Sequence, residues 1–274
     1  MVHDVNKDIQ NAVDLADGYR FKYYTKLYAR SNENLNKLFE NFEVKDKKIF
    51  TVLGSSDQLF LAWYLGASKV DTFDINKLTI YYYYLRKWVI KEQQLLYPVD
   101  RFFEFNDSKT WEMIERVVPE SKREEEAKYF WLTYLRKTNG LSNENLFFGM
   151  RKHSINIDFN KIINKLAEDV NFINCSILDQ MDTKGKYDVV IASNILEYTT
   201  SMRDYETFAR NMLNLLNKNG LCVCSYSMND HSSIEHKKEK KIIESMGFEA
   251  REFDCYCKNY WGLSEEVGYA YIKK

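Results

Sequence analysis

Gly54 directly follows an apolar, β-rich run, Lys48-Ile49-Phe50-Thr51-Val52-Leu53, and Ser55-Ser56-Asp57 opens a stretch with helical apolar spacing over 58–66. A glycine after a strand lets the backbone turn sharply, and the following Ser-Ser-Asp can cap a helix whose free N–H groups and positive end face a carboxylate or phosphate. Asp74 ends the next strand-like run, Lys69-Val70-Asp71-Thr72-Phe73-Asp74, twenty residues after Gly54. An acidic side chain at that place accepts hydrogen bonds from ribose hydroxyls. Together the two features predict a site for an adenosine-containing cofactor.

Two cofactor classes share this geometry, NAD(P) and S-adenosylmethionine. A pyrophosphate needs the second and third glycines of G-x-G-x-x-G, and here those positions hold Ser56 and Leu59. S-adenosylmethionine has no pyrophosphate, so side chains are better tolerated there. The chain end discriminates as well. A charged amphipathic helix over 234–246 is followed by two strand-like runs, 248–255 and 267–272, which suits a reversed final hairpin.

The elements that position these residues follow from periodicity. Two helices are expected over about 8–40, broken near Arg30-Ser31-Asn32, with Phe21, Tyr24, Leu27 and Tyr28 at helical spacing. Residues 1–44 are expected to form a lid or cap on a Rossmann-like domain spanning 45–274. The β-α-β start predicts a doubly wound, mostly parallel α/β sheet of seven strands. After a helix through Leu78, Tyr81, Tyr82, Leu85, Trp88 and Val89, the next strand candidate begins only at Val170. Residues 97–168 are therefore read as a helical insertion between strands two and three, with helices over 107–118 and 121–136. Beyond it come Val170-Asn171-Phe172-Ile173-Asn174-Cys175, the run Tyr187-Asp188-Val189-Val190-Ile191-Ala192-Ser193, a helix over 205–216 and a strand over 220–226.

Composition narrows the function classes. Ten glycines and two prolines make twelve in 274 residues, where average usage would give about 33. Collagen-like repeats, flexible linkers and turn-dense all-β folds are disfavoured, and long helices are favoured. A net charge of −1, from 39 Lys+Arg against 40 Asp+Glu, lacks the basic footprint of a nucleic-acid binder. Five cysteines and a start without a signal-like segment, MVHDVNKDIQNAV, fit free thiols in a reducing cytoplasm. No apolar run approaches the ~20 residues of a membrane span, which leaves peripheral lipid contact open.

Gly54, Asp74, the strand ending Ala192-Ser193-Asn194, and Leu215-Leu216-Asn217-Lys218-Asn219-Gly220 before a strand resemble, in order, the motifs of class I S-adenosylmethionine-dependent methyltransferases. The resemblance covers about 45–76 and 170–272. A narrower likeness is to the betaine-lipid synthases, which transfer the 3-amino-3-carboxypropyl group of the same cofactor. Asp74-Ile75-Asn76, the long insertion and Ser193-Asn194-Ile195-Leu196 are similar in both. The resemblance implies that Gly54, Ser55, Ser56 and Asp57 hold the methionine moiety, Asp74 the ribose, and Ser176 and Ile177 the adenine. Asn76, Ser193 and Asn194 complete the cofactor set. Glu197 and Tyr198, past strand four, are the candidate proton acceptors, and Ser227, Asn229, Asp230 and His231 a second acceptor-side group. The acceptor implied is a small or lipid-like molecule. Methyl transfer is the default and aminocarboxypropyl transfer the close alternative; a non-catalytic nucleoside-binding protein is the reading from another class.

No metal is expected. Cys222-x-Cys224 and Cys255-x-Cys257 would lie on one face of a strand as core thiols, and His231 and His236 fall on different helix faces. Of Tyr81–Tyr84, two are expected to face the core. Lys237–Lys241 reads as a solvated helix face.

Overall fold

The computed structural model describes residues 4–18, 27–28, 31, 33–93, 107–138, 146–148, 155, 157–179, 186–198, 201–226, 234–254 and 267–274. In chain order the elements are α1 (Val5–Ala16), β1 (Leu27–Tyr28), α2 (Leu35–Phe39), β2 (Lys48–Val52), α3 (Asp57–Tyr64), β3 (Lys69–Asp74), α4 (Leu78–Gln93), α5 (Asp107–Arg116), α6 (Lys122–Lys137) and β4 (Phe147–Phe148). They continue with β5 (Phe172–Asn174), β6 (Tyr187–Ser193), α7 (Met202–Leu215), β7 (Leu216–Tyr226), α8 (Ile234–Ser245), β8 (Phe248–Asp254) and β9 (Val267–Lys273).

Seven strands form one sheet in the order β5-β3-β2-β6-β7-β9-β8. β5, β3, β2, β6 and β7 pair parallel, and β9 runs antiparallel to both β7 and β8. A dinucleotide fold in this orientation would continue with a sixth parallel strand. Here the last strand inserts instead between its two predecessors, giving a Rossmann-like, mostly parallel sheet with a reversed final hairpin. The order reverses between β2 and β6, and that switch point is where ligands of open α/β sheets bind, beyond the carboxyl ends of the strands.

Alternation along the strands feeds two cores, one on each face. Ile49, Val189, Ile191 and Val223 turn to the face covered by α1, α4 and α6. Phe50, Phe73, Val190, Cys222 and Cys224 turn to the face covered by α7 and α8. Phe50 stacks between Phe73 and Tyr187, with ring centroids 4.7 and 5.0 Å apart. The two cysteines share a face as expected, buried with their sulfurs 3.9 Å apart.

Two expectations need correction. Leu27 and Tyr28 are not helical: they form β1, paired in parallel with Phe147 and Phe148 of the insertion. The remaining residues of 19–30 lie outside the described part. All four tyrosines of Tyr81–Tyr84 are buried, not two. The reason is that α4 is covered on every side: Tyr81 stacks on Phe130 of α6 at 4.4 Å, Trp131 Nε1 donates to the Tyr81 carbonyl at 2.7 Å, and Tyr83 meets Phe60 and Trp63 of α3. Even Lys87 of α4 is buried, with its ammonium 2.5 Å from Glu124. On α8, Lys237, Lys238 and Lys241 are exposed, while Glu239 turns inward to accept from Tyr271 at 3.1 Å.

Candidate functional site

The turn after β2 is shaped by two left-handed residues. Gly54 has φ +47 and Ser56 has φ +72. A Cβ at Gly54 would meet nothing within 4 Å, so its requirement is conformational: a tight turn, with no close approach of another backbone. Ser56 precedes α3, and its hydroxyl is fully buried without a hydrogen-bond partner. A side chain in a left-handed conformation costs of order 1 kcal/mol and persists where surroundings enforce it, often at ligand sites.

Beneath this turn lies a brace. Arg86 reaches up from α4, its guanidinium 2.7 Å from Asp57 Oδ1 and hydrogen-bonded to the Ser55 carbonyl. The Asp57 Oδ2 accepts from the Ser31 backbone N–H at 2.6 Å and from the Ser55 hydroxyl at 2.9 Å. Arg86 also lies over the Phe60 ring, 4.9 Å from its centroid. Both members of the ion pair are about 2% exposed. Asp57 is thus committed to holding the turn together.

Asp74 sits opposite. Its Oδ2 accepts from the Gly54 N–H at 2.9 Å and its Oδ1 from the Asn76 N–H at 2.8 Å. Burial pushes its carboxyl up to about 6, although these backbone donors pull the other way. Asn76 caps α4 by accepting from the Leu78 N–H at 3.1 Å. The neighbouring Ile75 is 51% exposed. Asn174, at the end of β5, donates to the carbonyls of both Asp74 and Ile75 at 2.8 and 3.0 Å, which fixes this rim.

Across the switch point, β6 ends in a bulge at which Ser193 adopts φ +58. The bulge re-aims its side chain, and Ser193 Oγ donates to Glu33 Oε1 at 2.6 Å. Ser225 of β7 donates to the same oxygen, and Gln58 Nε2 of α3 to Glu33 Oε2 at 3.0 Å. Asn194 is 8% exposed, and its Nδ2 has no partner; nor has Gln58 Oε1.

Gly54, Ser55, Ser56, Asp57, Asp74, Asn76, Ser193 and Asn194 therefore gather at the carboxyl edge between β2, β3 and β6. Ser176 lies farther out, where its hydroxyl accepts from the Leu178 N–H at 3.2 Å in a local turn. Ile177 is 1% exposed within the second core. Burial pushes the adjoining Cys175 thiol up to about 11, which keeps it protonated at neutral pH. Glu197 and Tyr198 end a 3₁₀ turn, Ile195–Tyr198, and their side chains lie outside the described residues, as do Ser227, Asn229, Asp230, His231 and the Cys255-Cys257 pair. Arg86, Ile75 and Glu33 are what sequence reading missed. Ile75 alone had a local signal, an apolar residue directly after the ribose-type aspartate.

The orphaned atoms test whether a nucleoside carrying an amino-acid tail suits these residues. Ser56 Oγ and Asn194 Nδ2 are buried polar groups awaiting a partner, Asp74 is a carboxylate at the rim, and Ile75 offers apolar surface beside it. That set fits such a group.

No family model matches the sequence, and no curated protein matches it. Among solved structures, the chain is similar to a TehB-like SAM-dependent methyltransferase from Corynebacterium glutamicum, at 10% identity over 98% of each chain with a TM-score of 0.46. It is similar to the N-methyltransferase NodS from Bradyrhizobium japonicum in complex with S-adenosyl-L-homocysteine, at 9% identity over 99% of each chain and a TM-score of 0.44. The magnesium protoporphyrin IX methyltransferase ChlM from Synechocystis PCC 6803 with bound SAM gives 11% identity, 100% of this chain, 86% of that one and a TM-score of 0.44.

Proposed function

We propose that the chain is an S-adenosylmethionine-dependent transferase that moves a methyl group to a small-molecule or lipid-like acceptor. The observation that carries this reading is the antiparallel β9 between β7 and β8, joined to a carboxyl-edge turn that keeps a single glycine. Asp74 would hold the ribose hydroxyls, Ile75 would cover one side of the base, and the Gly54–Ser56 turn with Asn194 would hold the tail. Asp57 then serves by keeping the turn in shape. The bound cofactor would supply an electrophilic carbon on a sulfonium with a thioether leaving group. What remains for the protein is to align the acceptor and, where the acceptor is weakly acidic, to take its proton. Glu197 and Tyr198 are the proposed proton acceptors.

Residues 1–44 act in this reading as a cap on the 45–274 domain, a reading supported by the contacts of Glu33 with Ser193, Ser225 and Gln58. α1, the first helix of that segment, packs on α6, and Tyr81 of α4 donates to its Asp8 at 2.9 Å. Among the described residues no helix is long and apolar enough to cross a membrane; a cytoplasmic enzyme that meets lipid only at its surface fits this. The narrower likeness to betaine-lipid synthases makes aminocarboxypropyl transfer the competing reaction on the same site.

Mass spectrometry of the released nucleoside tests both. S-adenosylhomocysteine identifies methyl transfer, and methylthioadenosine identifies aminocarboxypropyl transfer. If calorimetry detects no binding of S-adenosylmethionine at high micromolar concentration, the cofactor assignment is wrong.

A further inference from the structure

At the edge of the sheet beyond β5 lies a cavity of about 240 Å³, and none of Gly54, Ser56, Asp74 or Asn194 borders it. Three elements line it, each with residues spaced to share one side: Lys77, Ile80 and Tyr81 at the start of α4, Arg123 and Glu126 near the start of α6, and Phe172 and Asn174 on β5. Ile80 and Tyr81 are buried and Phe172 is half-buried, so the floor is apolar. Tyr81 is held in place by stacking on Phe130 at 4.4 Å and by donating to Asp8 at 2.9 Å. The rim is charged. Arg123 Nη1 is anchored on the Val170 carbonyl at 3.0 Å, yet neither Arg123, Lys77 nor Glu126 has an ion-pair partner among the described residues. Elsewhere on the surface, Lys37, Lys69, Lys91 and Lys165 each meet a carboxylate within 3.2 Å.

An apolar floor beside two unpaired cations is complementary to a molecule with a hydrocarbon body and an anionic end. A cavity of about 150 Å³ holds benzene, so this one has room for a single ring and a short acid chain. Glu126 decides the kind of acid: with Lys77 and Arg123 it leaves the rim one net positive charge, which a carboxylate matches and a phosphate dianion exceeds. We infer that this cavity binds a small aromatic carboxylate, its ring against Ile80, Tyr81 and Phe172 and its charge between Lys77 and Arg123. The site is separate from the one proposed for the cofactor and does not depend on that reading. Asn174 links the two, because its Nδ2 donates to the carbonyls of Asp74 and Ile75 at 2.8 and 3.0 Å.

Calorimetry with phenylacetate on the full chain tests this, with benzyl alcohol and phenyl phosphate as the neutral and dianionic comparisons. Phenylacetate should bind with a Kd below about 1 mM, benzyl alcohol at least about 10-fold more weakly, and phenyl phosphate more weakly than phenylacetate. Lys77→Met and Arg123→Met each remove one cation and keep most of the side-chain volume. Each should weaken phenylacetate about 5- to 10-fold without moving the denaturant unfolding transition. Lys77 makes no hydrogen bond or ion pair with the described residues, so Lys77→Met decides the matter if Arg123→Met, which also gives up the Val170 carbonyl, does not fold. The inference is overturned by no binding of phenylacetate at about 10 mM, by equal affinity for benzyl alcohol, by tighter binding of phenyl phosphate, or by unchanged affinity in Lys77→Met. Displacement of phenylacetate by S-adenosylmethionine would put it at the carboxyl edge and overturn the second site as well.

Discussion

Two aspartates stand at one edge of the sheet, both nearly buried, and the protein treats them in opposite ways. Asp57, under the glycine turn, meets a guanidinium at 2.7 Å, a serine hydroxyl and a backbone N–H. Asp74, on the rim, meets two backbone N–H groups, and burial raises its carboxyl to about 6. A buried charge with a full set of partners is a structural element, and removing one partner leaves the other uncompensated. A buried carboxylate held by a few neutral donors is poised to gain from more. The difference teaches that a carboxylate beside such a turn is read by what already surrounds it: Asp57 braces the turn, and in the proposed function Asp74 is the one that meets the ligand.

The largest effect expected from this contrast is on stability. Arg86→Met keeps most of the side-chain volume but strands the Asp57 carboxylate in the interior, and should cost about 3–5 kcal/mol in denaturant unfolding. Pairing it with Asp57→Leu should restore much of that loss, because the brace is then replaced by apolar contact. A single-variant loss below about 1 kcal/mol would mean that Asp57 is not held by Arg86 in the way the geometry shows.

Asp74 should reveal itself in binding, with a pH signature of opposite sign for folding and for ligand. A carboxyl whose folded value is raised adds stability below its ordinary range, near 3.8, and that contribution is lost as pH rises through about 6. Between pH 5 and 7 the unliganded protein should therefore lose about 1 kcal/mol through this one group. Ribose hydroxyls donate to the ionised form, so affinity for S-adenosylmethionine should fall about 10-fold from pH 7 to pH 5. Asp74→Asn, neutral at every pH, should weaken binding by about 10- to 100-fold at pH 7 and flatten both slopes. Paired calorimetry and unfolding series check this, and slopes of the same size in the variant would assign the titration elsewhere.

The contrast between the aspartates also marks how far the sequence could be read. β3 and β6 coincide with the runs that announced them, β6 because a buried parallel strand is written as a nearly continuous apolar segment and β3 because it follows a helix as the second strand of a β-α-β start. The reversed end of the sheet was legible as two strands after a helix. Asp74 was legible because its role depends on position at a strand end. Arg86 was not: it sits beside Lys87 in a helix whose burial on every side depends on α6 and β1, elements that approach from distant parts of the chain. Glu33 was less so, since its partners Ser193 and Ser225 are 160 and 192 residues away. Ile177, which the resemblance placed beside the adenine, has its side chain in the second core, because β5 has only three residues and the chain turns inward after it.

Ile75 gives the smallest effect and the cleanest separation of service from support. It follows Asp74 directly, is half exposed, and is held by its backbone through Asn174. Cutting it to alanine removes apolar surface that only a bound base would cover. Unfolding stability should therefore stay within about 0.5 kcal/mol of the parent, as for an ordinary surface substitution. Affinity for S-adenosylmethionine should drop about 5-fold, the equivalent of about 1 kcal/mol of lost apolar burial. Because this loss involves no charge, it should be the same at pH 5 and pH 7 and add independently to the low-pH loss from Asp74. Separate calorimetric titrations of adenosine and S-adenosylmethionine on Ile75→Ala read the effect directly, since both carry the base and should weaken alike. An unchanged affinity for adenosine would place the base away from Ile75 and shift the rim of the site toward β6.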